Sequence, residues 1–314
     1  MPELPEVTTI VSDLNKFARG KKIIAIKGDT SKLIQPYSFA EFKKKVGGRS
    51  FVGFKRRGKY VLGYLSEKKI KKMDLEDSID EVLKISNFKF QILVLHMRMT
   101  GHLLFRNEKK EGKIAKEYFS DRRNQYIRFS IIFSDKTHLD FSDLRKFGTL
   151  HLFEGDEIGK CKGIATLGPD ALEHPWKPVE LQELLKRKNV ALKQVLLDQT
   201  VIAGIGNIYA DEILWTAKLH PLRKTNTVSV EESEKIILAM KKVLKSAVKH
   251  RGSSVDDYRD VSGKAGDYSK FHRVYQRKNL PCFRCGEKIV RIKVNGRGTC
   301  FCPVCQKQKT LTLQ

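Results

Sequence analysis

The sequence predicts an α+β multidomain protein in which a helix and an antiparallel β-sandwich come first, a helical domain follows, and a cysteine-rich tail ends the chain. Three observations predict this order. Apolar residues recur at helical spacing near the start, short β-rich runs fill residues 22–155, and helical periodicity returns beyond residue 176. With 314 residues, the chain is long enough for two domains and a small appendage.

The opening helix is predicted from apolar residues that share one helical face: Val7, Ile10, Leu14 and Phe17. Gly20 is expected to end it. The β-sandwich follows from short runs that Gly, Asp and Lys clusters separate, a pattern typical of an antiparallel sandwich or barrel. These runs are KIIAIKG, YVLGYL, FQILVLHM, YIRFSIIF and GTLHLF.

Two charged stretches, residues 66–87 and 106–125, interrupt the β pattern and are interpreted as insertions or long loops. Solvated loop decoration is the favoured interpretation of both. The first stretch also has apolar residues at helical spacing, so a surface helix is the alternative there. Neither stretch suggests a function.

The helical domain is predicted to begin at TLGPDALEHPW, residues 166–176, beyond which four runs show helical periodicity. Between two of these runs lies GIGN. Gly204 and Gly206 allow close backbone approach, and Asn207 is expected to cap the next helix. A glycine-flanked helix N-terminus offers free N–H groups to an anion such as a DNA phosphate, although an ordinary helix–turn–helix is the alternative.

The net charge of the chain indicates which classes of partner it binds. Lys and Arg number 61 against 36 Asp and Glu, giving a formal charge of +25. Such an excess favours nucleic acid and, less often, an acidic membrane surface. No apolar run approaches the roughly 20 residues of a membrane span, and the start lacks the layout of a signal peptide. We therefore expect a cytoplasmic location.

The cysteines indicate a metal rather than disulfides, because five of the six crowd the end of a chain with no secretory signal. Two C-x2-C pairs have the spacing of a structural zinc ribbon. One structural Zn²⁺ is predicted on their four thiolates: Cys282, Cys285, Cys302 and Cys305. Cys300 is interpreted as a spectator thiol, with competition for the metal as the alternative. Cys161 stands alone, with no role assigned.

The residues between the two cysteine pairs predict a hairpin. Asn295-Gly296 is a strong turn signal inside an alternating segment. Arg297 would then lie at or beside the tip, where its guanidinium could enter a DNA groove or contact phosphates. A solvated surface arginine is the alternative.

Several of these segments together resemble the formamidopyrimidine-DNA glycosylase (Fpg) family, within the Fpg/Nei superfamily. The matching motifs run in order through nearly the whole chain and are broken mainly at the two charged stretches. They are MPELPEV, RRGKYVL, HMRMTGHL, DLRKFG, LLDQTVIAGIGNIYADEILW, the RGSS…DYSKFHRVYQRKNLPCFRCG region and RGTCFCPVCQ.

This resemblance implies a β-sandwich domain over residues 1–165, a helix–two-turn–helix domain with a lesion loop over 166–272 and a zinc finger over 273–314, with DNA in the cleft between the domains. It implies a base-excision-repair enzyme that is both glycosylase and AP lyase. The expected substrate is double-stranded DNA carrying oxidised purines, namely 8-oxoguanine and formamidopyrimidines. We expect a monomer, associated with the nucleoid through DNA binding.

The resemblance also assigns the chemistry. Removal of Met1 would leave Pro2 with a free secondary amine that attacks C1′ of the damaged nucleotide and forms a Schiff base. Strand cleavage would follow by β,δ-elimination. Glu3 is implied as the general acid/base. Glu6 would orient groups or shuttle protons nearby, with compensation of the helix dipole as its alternative role. Lys59 is implied to contact DNA near the lesion.

The remaining implied roles concern DNA binding. Met99, Arg145 and Phe147 would fill the gap left by the everted base. Lys193 would lie near the lesion and its 5′ side. Further residues are implied to contact phosphates or to close over the flipped purine: His96, Asn207 and the loop 252–270.

The sequence departs from the family pattern in two places. DLRKFG has Leu144 and Lys146 where the family usually has Pro and Arg, which leaves the wedge of gap-filling residues intact and is expected to alter backbone contacts. Around Tyr126, no clear equivalent of a phosphate-binding histidine is found.

Three alternatives remain. An endonuclease VIII-like enzyme would act on oxidised pyrimidines, but PELPEV and the full-length loop favour the Fpg side. A catalytically silent DNA-binding protein would not need Pro2, Glu3 or Lys59. A structural zinc-ribbon or ribosomal protein would leave most of the chain unexplained.

Overall fold

The computed structural model describes residues 1–28, 33–68, 90–107, 119–255 and 257–308. Most of the two charged insertions, including the predicted surface helix, lies outside the described residues. The helices are α1 (Leu4–Phe17), α2 (Phe39–Val46), α3 (Lys162–Ala165), α4 (Pro178–Lys186), α5 (Leu192–Leu197), α6 (Asn207–Ala217) and α7 (Val230–Lys249). Short 3-10 turns cover Arg122–Gln125, Gly155–Lys160, Thr225–Thr227 and Tyr268–Phe271.

The described strands confirm the β runs read from the sequence. They are β1 (Ile23–Gly28), β2 (Ile34–Gln35), β3 (Ser50–Arg57), β4 (Tyr60–Ser66), β5 (Gln91–His96), β6 (Gly101–Asn107), β7 (Ile127–Phe133), β8 (Thr137–Asp143), β9 (Thr149–Glu154), β10 (Val290–Val294) and β11 (Arg297–Phe301). The chain divides into two compact units. One contains residues 1–165 and 251–267, and the other contains 166–250 and 268–314.

The first unit contains the predicted sandwich. One sheet has the order β2-β9-β5-β4-β3, and the other has the order β1-β7-β8-β6. Neighbouring strands are antiparallel except for the short β2–β9 pair. Apolar side chains of both sheets and α1 form one core, which includes Phe51, Phe54, Phe129, Phe133 and Leu14. Burying a large apolar side chain stabilises the fold by about 1.5–3 kcal/mol, so this core holds the sandwich together.

Helix α1 forms as the sequence predicts. Val7, Ile10 and Leu14 are fully buried on one face, and Pro5 lies in the first turn, where its missing N–H costs nothing. Gly20 follows with φ of 78°, a left-handed conformation that suits glycine. Because the helix begins at Leu4, the first residues of the chain lie at its N-terminus.

The second unit contains helices α4–α7 and the hairpin of β10 and β11. The Asn295-Gly296 turn is confirmed, with φ of 45° and 73° at its two residues. The expectation that Asn207 caps α6 is wrong, because Gly206 occupies the N-cap and Asn207 is the first helical residue. Gly204 has φ of 108°, which lets the chain turn sharply into this helix.

Residues 251–267 follow α7 in sequence but belong to the first unit. They include residues 252–255 and 257–267 of the predicted lesion loop 252–270, whereas residues 268–270 lie in a 3-10 turn of the second unit. The three-domain boundaries at 165/166 and 272/273 stay a prediction. None of the described helices has the length and apolar character needed to cross a membrane.

Candidate functional site

The N-terminus of α1 brings together Pro2, Glu3 and Glu6, all of which are buried. Oε2 of Glu6 accepts a hydrogen bond from the Glu3 N–H at 2.8 Å, and Oε1 accepts one from the Ser253 N–H at 2.7 Å. Gly252 has φ of +80°, and a Cβ there would lie 2.6 Å from Glu6 Oε1. Glycine is therefore required for the loop to approach the carboxylate so closely.

The loop 251–267 is fastened to α1 at a second point. The guanidinium of Arg251 contacts both oxygens of Asp13 and lies 2.7 Å from Asp260 Oδ2. Asp260 also accepts the N–H groups of Ser262 and Lys264, each at 2.9 Å. One arginine therefore ties helix and loop together through two carboxylates that are almost fully buried.

Lys59, His96 and Arg98 form a basic group at one end of the first sheet. Lys59 lies in the turn between β3 and β4, and Tyr60 pairs with His96 across β4 and β5. Nδ1 of His96 accepts the Arg98 N–H at 3.0 Å, so the ring proton is on Nε2. Burial, Arg98 and Lys59 lower the pKa of His96 to about 3, so the imidazole is neutral at physiological pH.

The three predicted wedge residues lie on two neighbouring turns. Met99 is 39% exposed in the turn from β5 to β6, and Phe147 is 50% exposed in the turn from β8 to β9. The guanidinium of Arg145 lies 4.5 Å from the centre of the Phe147 ring. Met99 and Phe147 therefore present two exposed apolar side chains on neighbouring turns.

The first departure from the family pattern, Leu144 and Lys146, falls on the second of these turns. Leu144 is 50% exposed, and its carbonyl accepts a hydrogen bond from Arg128 Nη2 at 3.3 Å. Lys146 has φ of 56°. Near Tyr126, Arg122 Nε donates to the phenol oxygen at 3.1 Å, and the Arg128 guanidinium lies 5.9 Å from the ring centre. The surroundings of Tyr126 are therefore strongly basic without a histidine.

In the second unit, Lys193 is fully buried, and its place beside the lesion stays a prediction. Its Nζ lies 2.7 Å from Asp211 Oδ1, 2.9 Å from Thr299 Oγ1 and 3.0 Å from the Gly298 carbonyl. The ammonium therefore donates hydrogen bonds to Thr299 and Gly298 and forms an ion pair with Asp211. Burial raises the pKa of Asp211 to about 7, while Lys193 and the Cys300 N–H, at 2.9 Å, oppose that rise. Lys193 thus anchors the hairpin to α5 and α6.

Asn207 and Arg297 belong to the same corner of the second unit. Asn207 Nδ2 donates to the Gly298 carbonyl at 3.3 Å, and Arg297 is exposed at the start of β11, next to the hairpin turn. An open pocket of about 510 Å³ lies here. Its lining is mostly polar and basic: Asn207, Tyr275, Gln276, Lys278, Arg291, Gly298 and Cys300.

The four predicted zinc ligands lie together, with their sulfur atoms all within 4.8 Å of one another. Cys282 and Cys305 are 4.0 Å apart, and Cys285 and Cys302 are 3.4 Å apart. A tetrahedral zinc with bonds of about 2.3 Å needs sulfur separations near this range. Backbone N–H groups also point at Cys282 and Cys302, at 3.4 Å each. The donor set therefore fits a closed structural site, with no open coordination position.

Comparison with known proteins gives matches along most of the chain. Three family models match it: the formamidopyrimidine-DNA glycosylase N-terminal domain over residues 1–150, the formamidopyrimidine-DNA glycosylase H2TH domain over 167–259, and the zinc finger found in FPG and IleRS over 279–308. The formamidopyrimidine-DNA glycosylases of Pelotomaculum thermopropionicum and Bacillus cereus are each 35% identical to it. The alignments cover 98% of this chain and 100% and 99% of those proteins.

The chain belongs to the formamidopyrimidine-DNA glycosylase family. Membership identifies it as a DNA-repair glycosylase of the Fpg type. Two solved structures are also similar to it, each with a TM-score of 0.79, 30% identity and coverage of 98% of this chain and 100% of the other. They are Lactococcus lactis Fpg with DNA containing an abasic site and a mutant of that enzyme with DNA containing Fapy-dG.

The family match confirms the predicted fold class, with a β-sandwich, an H2TH domain and a C-terminal zinc finger. It also confirms the predicted cofactor, one structural zinc held by the four clustered cysteines. Cys300 is outside this cluster, and the buried Cys161 packs in a small apolar group with Leu62, Ile92 and Val94.

Sequence reasoning missed several residues that hold the Fpg site together. Thr100 and Asp143 lie inside the quoted motifs HMRMTGHL and DLRKFG, beside the wedge residues. Arg251 and Ser253 lie inside RGSS at the start of the loop. Their position within the matched motifs could have identified them as residues of the site. Their contacts, however, join residues far apart in sequence and could not be read from the motifs.

Proposed function

We propose that this protein is a bifunctional DNA glycosylase and AP lyase that removes oxidised purines, 8-oxoguanine and formamidopyrimidines, from double-stranded DNA. The observation that carries this proposal is the buried Glu3–Glu6 pair, directly after Pro2 and joined to the loop at Ser253. Pure DNA binding would not require two buried carboxylates beside the amino end of a strongly basic chain. The relatives' names and the lesion DNA bound by the structural neighbours agree with it.

In this proposal, removal of Met1 frees the Pro2 nitrogen as a secondary amine. Its lone pair attacks C1′, the bond from C1′ to the damaged base breaks, and the base leaves with that electron pair and takes up a proton. The nitrogen then loses its proton, the bond from C1′ to the ring oxygen breaks, and the oxygen takes up a proton. The product is an iminium, which is positively charged without an added proton. The iminium makes the hydrogens on C2′ acidic, and loss of one of them as a proton expels the 3′ phosphate. A second elimination expels the 5′ phosphate, and hydrolysis releases Pro2.

The carboxylates of Glu3 and Glu6 have different roles in this mechanism. Glu3 is the general acid/base, giving a proton to the sugar ring oxygen as the ring opens and taking one back later. Glu6 has one oxygen on the Glu3 N–H and the other on the Ser253 N–H. This arrangement favours the orienting role for Glu6, because both oxygens are engaged by backbone donors.

The proposed DNA contacts follow from charge and hydrogen-bonding groups. Lys59 contributes an ammonium near His96, whose Nε2–H is a neutral donor suited to a phosphate oxygen. Asn207 and the exposed Arg297 provide backbone contacts from the second unit. Met99, Arg145 and Phe147 fill the space of the everted base. Lys193 contributes indirectly, by fixing the hairpin that carries Arg297.

We further propose that the enzyme acts as a monomer on DNA in the bacterial cytoplasm. A second candidate substrate is an oxidised pyrimidine. One observation favours it: wild-type Lactococcus lactis Fpg, 30% identical and with a TM-score of 0.78, has been solved with DNA containing an oxidised pyrimidine.

A base-release assay tests the proposal. Duplexes carry one 8-oxoguanine opposite cytosine, one formamidopyrimidine, one oxidised pyrimidine or no lesion. Wild type is expected to release the two purine lesions fastest, and Glu3→Gln to release neither at a comparable rate. Glu41→Gln is the control, because Glu41 is an exposed glutamate in the first turn of another helix, α2. Release of the pyrimidine alone would move the substrate to the second candidate. Release of nothing by wild type would contradict the proposal.

A further inference from the structure

We propose that Asp143 is a positioning residue that holds two turns in fixed relation, so that their side chains enter DNA as one wedge. The first turn, residues 97–100, carries Met99, and the second, residues 144–147, carries Arg145 and Phe147. This inference rests on the proposed function, because it concerns how the wedge supports eversion of the damaged base.

The carboxylate of Asp143 is fully buried and bonds to both turns. Its Oδ1 accepts hydrogen bonds from the Thr100 hydroxyl and from the Arg145 N–H, the latter at 3.2 Å. Its Oδ2 accepts the Gly148 N–H at 2.8 Å. The Arg145 N–H also lies 3.1 Å from Thr100 Oγ1. One residue of the first turn and both ends of the second therefore converge on a single carboxylate.

The strands next to the two turns hold the turns close together. Gly101 of β6 pairs directly with Asp143 of β8, so the first turn ends and the second begins at opposite members of one strand pair. Both turns also rest on the ring of Phe141. A Cβ on Gly101 would lie 2.8 Å from this ring, and one on Gly148 would lie 2.5 Å from it. Because neither glycine has room for a side chain, both backbones sit directly on that ring.

Each turn contains a residue other than glycine in an unfavourable backbone conformation. Arg98 has φ of 53° and Lys146 has φ of 56°, the left-handed region that residues other than glycine rarely adopt. Such conformations persist where surrounding contacts hold them. The Asp143 carboxylate supplies these contacts from inside. Arg128 supplies more from outside, by donating to the Asp143 carbonyl at 2.7 Å.

The contacts of Asp143 with the two turns form a junction, and its function follows from what the wedge does in DNA. Met99 and Phe147 replace the stacking lost when a base leaves the duplex, and their spacing must match the gap. A duplex that already lacks the base presents less unpairing and unstacking to overcome. Loosening the junction should therefore slow removal of a damaged base more than cleavage at a preformed abasic site.

The experiment compares Asp143→Asn, Thr100→Val and Thr100→Ser with wild type on two duplexes of one sequence. One contains 8-oxoguanine opposite cytosine, and the other contains an abasic site at that position. Single-turnover rates are measured for base release and for strand cleavage. A 2-aminopurine beside the lesion reports unstacking through its fluorescence. Thr137→Val is the matched control, because Thr137 makes the same hydroxyl contact to Asp135 in the β7–β8 turn.

We expect Asp143→Asn to slow base release about tenfold or more, since small misplacement of positioning groups is costly. Thr100→Val should show a smaller loss, and Thr100→Ser should restore the rate and the 2-aminopurine signal. Cleavage of the abasic duplex should change little in all three. Equal losses on both duplexes, or wild-type rates in Asp143→Asn and Thr100→Val, would overturn the inference. Should wild type fail on both duplexes, the proposed function itself would be wrong.

Discussion

The carboxylate of Glu6 accepts the backbone N–H of Ser253 at 2.7 Å, although 247 positions separate the two residues in sequence. The same carboxylate accepts the Glu3 N–H at 2.8 Å. The start of the chain and the loop 251–267 are therefore joined through one side chain. Any disturbance of the loop at Ser253 is transmitted to the residue next to Pro2.

Replacement of Glu6 by Gln tests this link. Glutamine has one carbonyl oxygen, so its amide group would face one of the two N–H donors and leave it unsatisfied. An unsatisfied buried donor costs about 1–3 kcal/mol. We expect Glu6→Gln to lower the rate of 8-oxoguanine release at least tenfold in single-turnover assays, with Glu41→Gln as the capping control. Rates equal to those of wild type would show that the link has no part in activity.

Replacement of Arg251 by Lys tests the second fastening of the loop. Lysine lacks the planar fork that reaches Asp13 and Asp260 together. We expect faster proteolysis or hydrogen exchange within residues 252–266 and slower base release, with a smaller effect on cleavage of abasic DNA. Arg49→Lys is the control, because Arg49 pairs with one exposed carboxylate, that of Glu67. The explanation fails if Arg251→Lys leaves loop protection unchanged while base release falls.

The buried histidines predict how stability depends on pH. Burial is the main cause that lowers the pKa of His96 to about 3 and that of His272 to about 4. The unfolded chain binds these protons near pH 6.5, whereas the folded protein does not. The free energy of unfolding should therefore fall as pH drops from about 6.5 towards 4, each histidine contributing at most about 1.4 kcal/mol per pH unit. His96→Gln should show a shallower fall in Tm over that range, and an identical pH profile would contradict the assignment.

Zinc removal predicts a loss of DNA affinity. The site holds the β10–β11 hairpin next to Arg297, and Cys282 and Cys302 pack with Val274 and Ile289. Cys285→Ser should lower the zinc content below one per chain and weaken binding to an abasic duplex in fluorescence anisotropy. Cys161→Ser and Cys300→Ser should keep the metal, because neither residue belongs to the four-cysteine cluster. Loss of zinc in Cys300→Ser would make Cys300 a ligand.

Much of the fold could be predicted, because its signals are local. The apolar face of α1, the alternation in the strands and the two cysteine pairs each lie within a short stretch of sequence. The position of Lys193 could not be predicted in this way. Its acceptors Gly298 and Thr299 lie 105 and 106 positions away, so its burial depends on the folded hairpin. The cap of α6 was misplaced by one residue, because Gly206 takes the position expected for Asn207.

The candidate site was predictable as a set of residues but not as an arrangement. Met99 and Phe147 would have been read as core residues from their type alone, and the resemblance to the family gave them a role. Thr100 and Asp143 lie 43 positions apart, and no periodicity links them. Contacts of this kind arise from strand pairing, which a single sequence does not reveal.

Borohydride trapping with mapping of the adduct identifies the nucleophile. Wild type is mixed with a duplex carrying 8-oxoguanine opposite cytosine, reduced, digested and analysed by mass spectrometry. We expect a chain that lacks Met1 and carries the reduced sugar on the Pro2 nitrogen, with the adduct greatly reduced in Pro2→Gly. An adduct on Lys59 with residue 2 unmodified, or base release without any trapped adduct, would contradict this expectation.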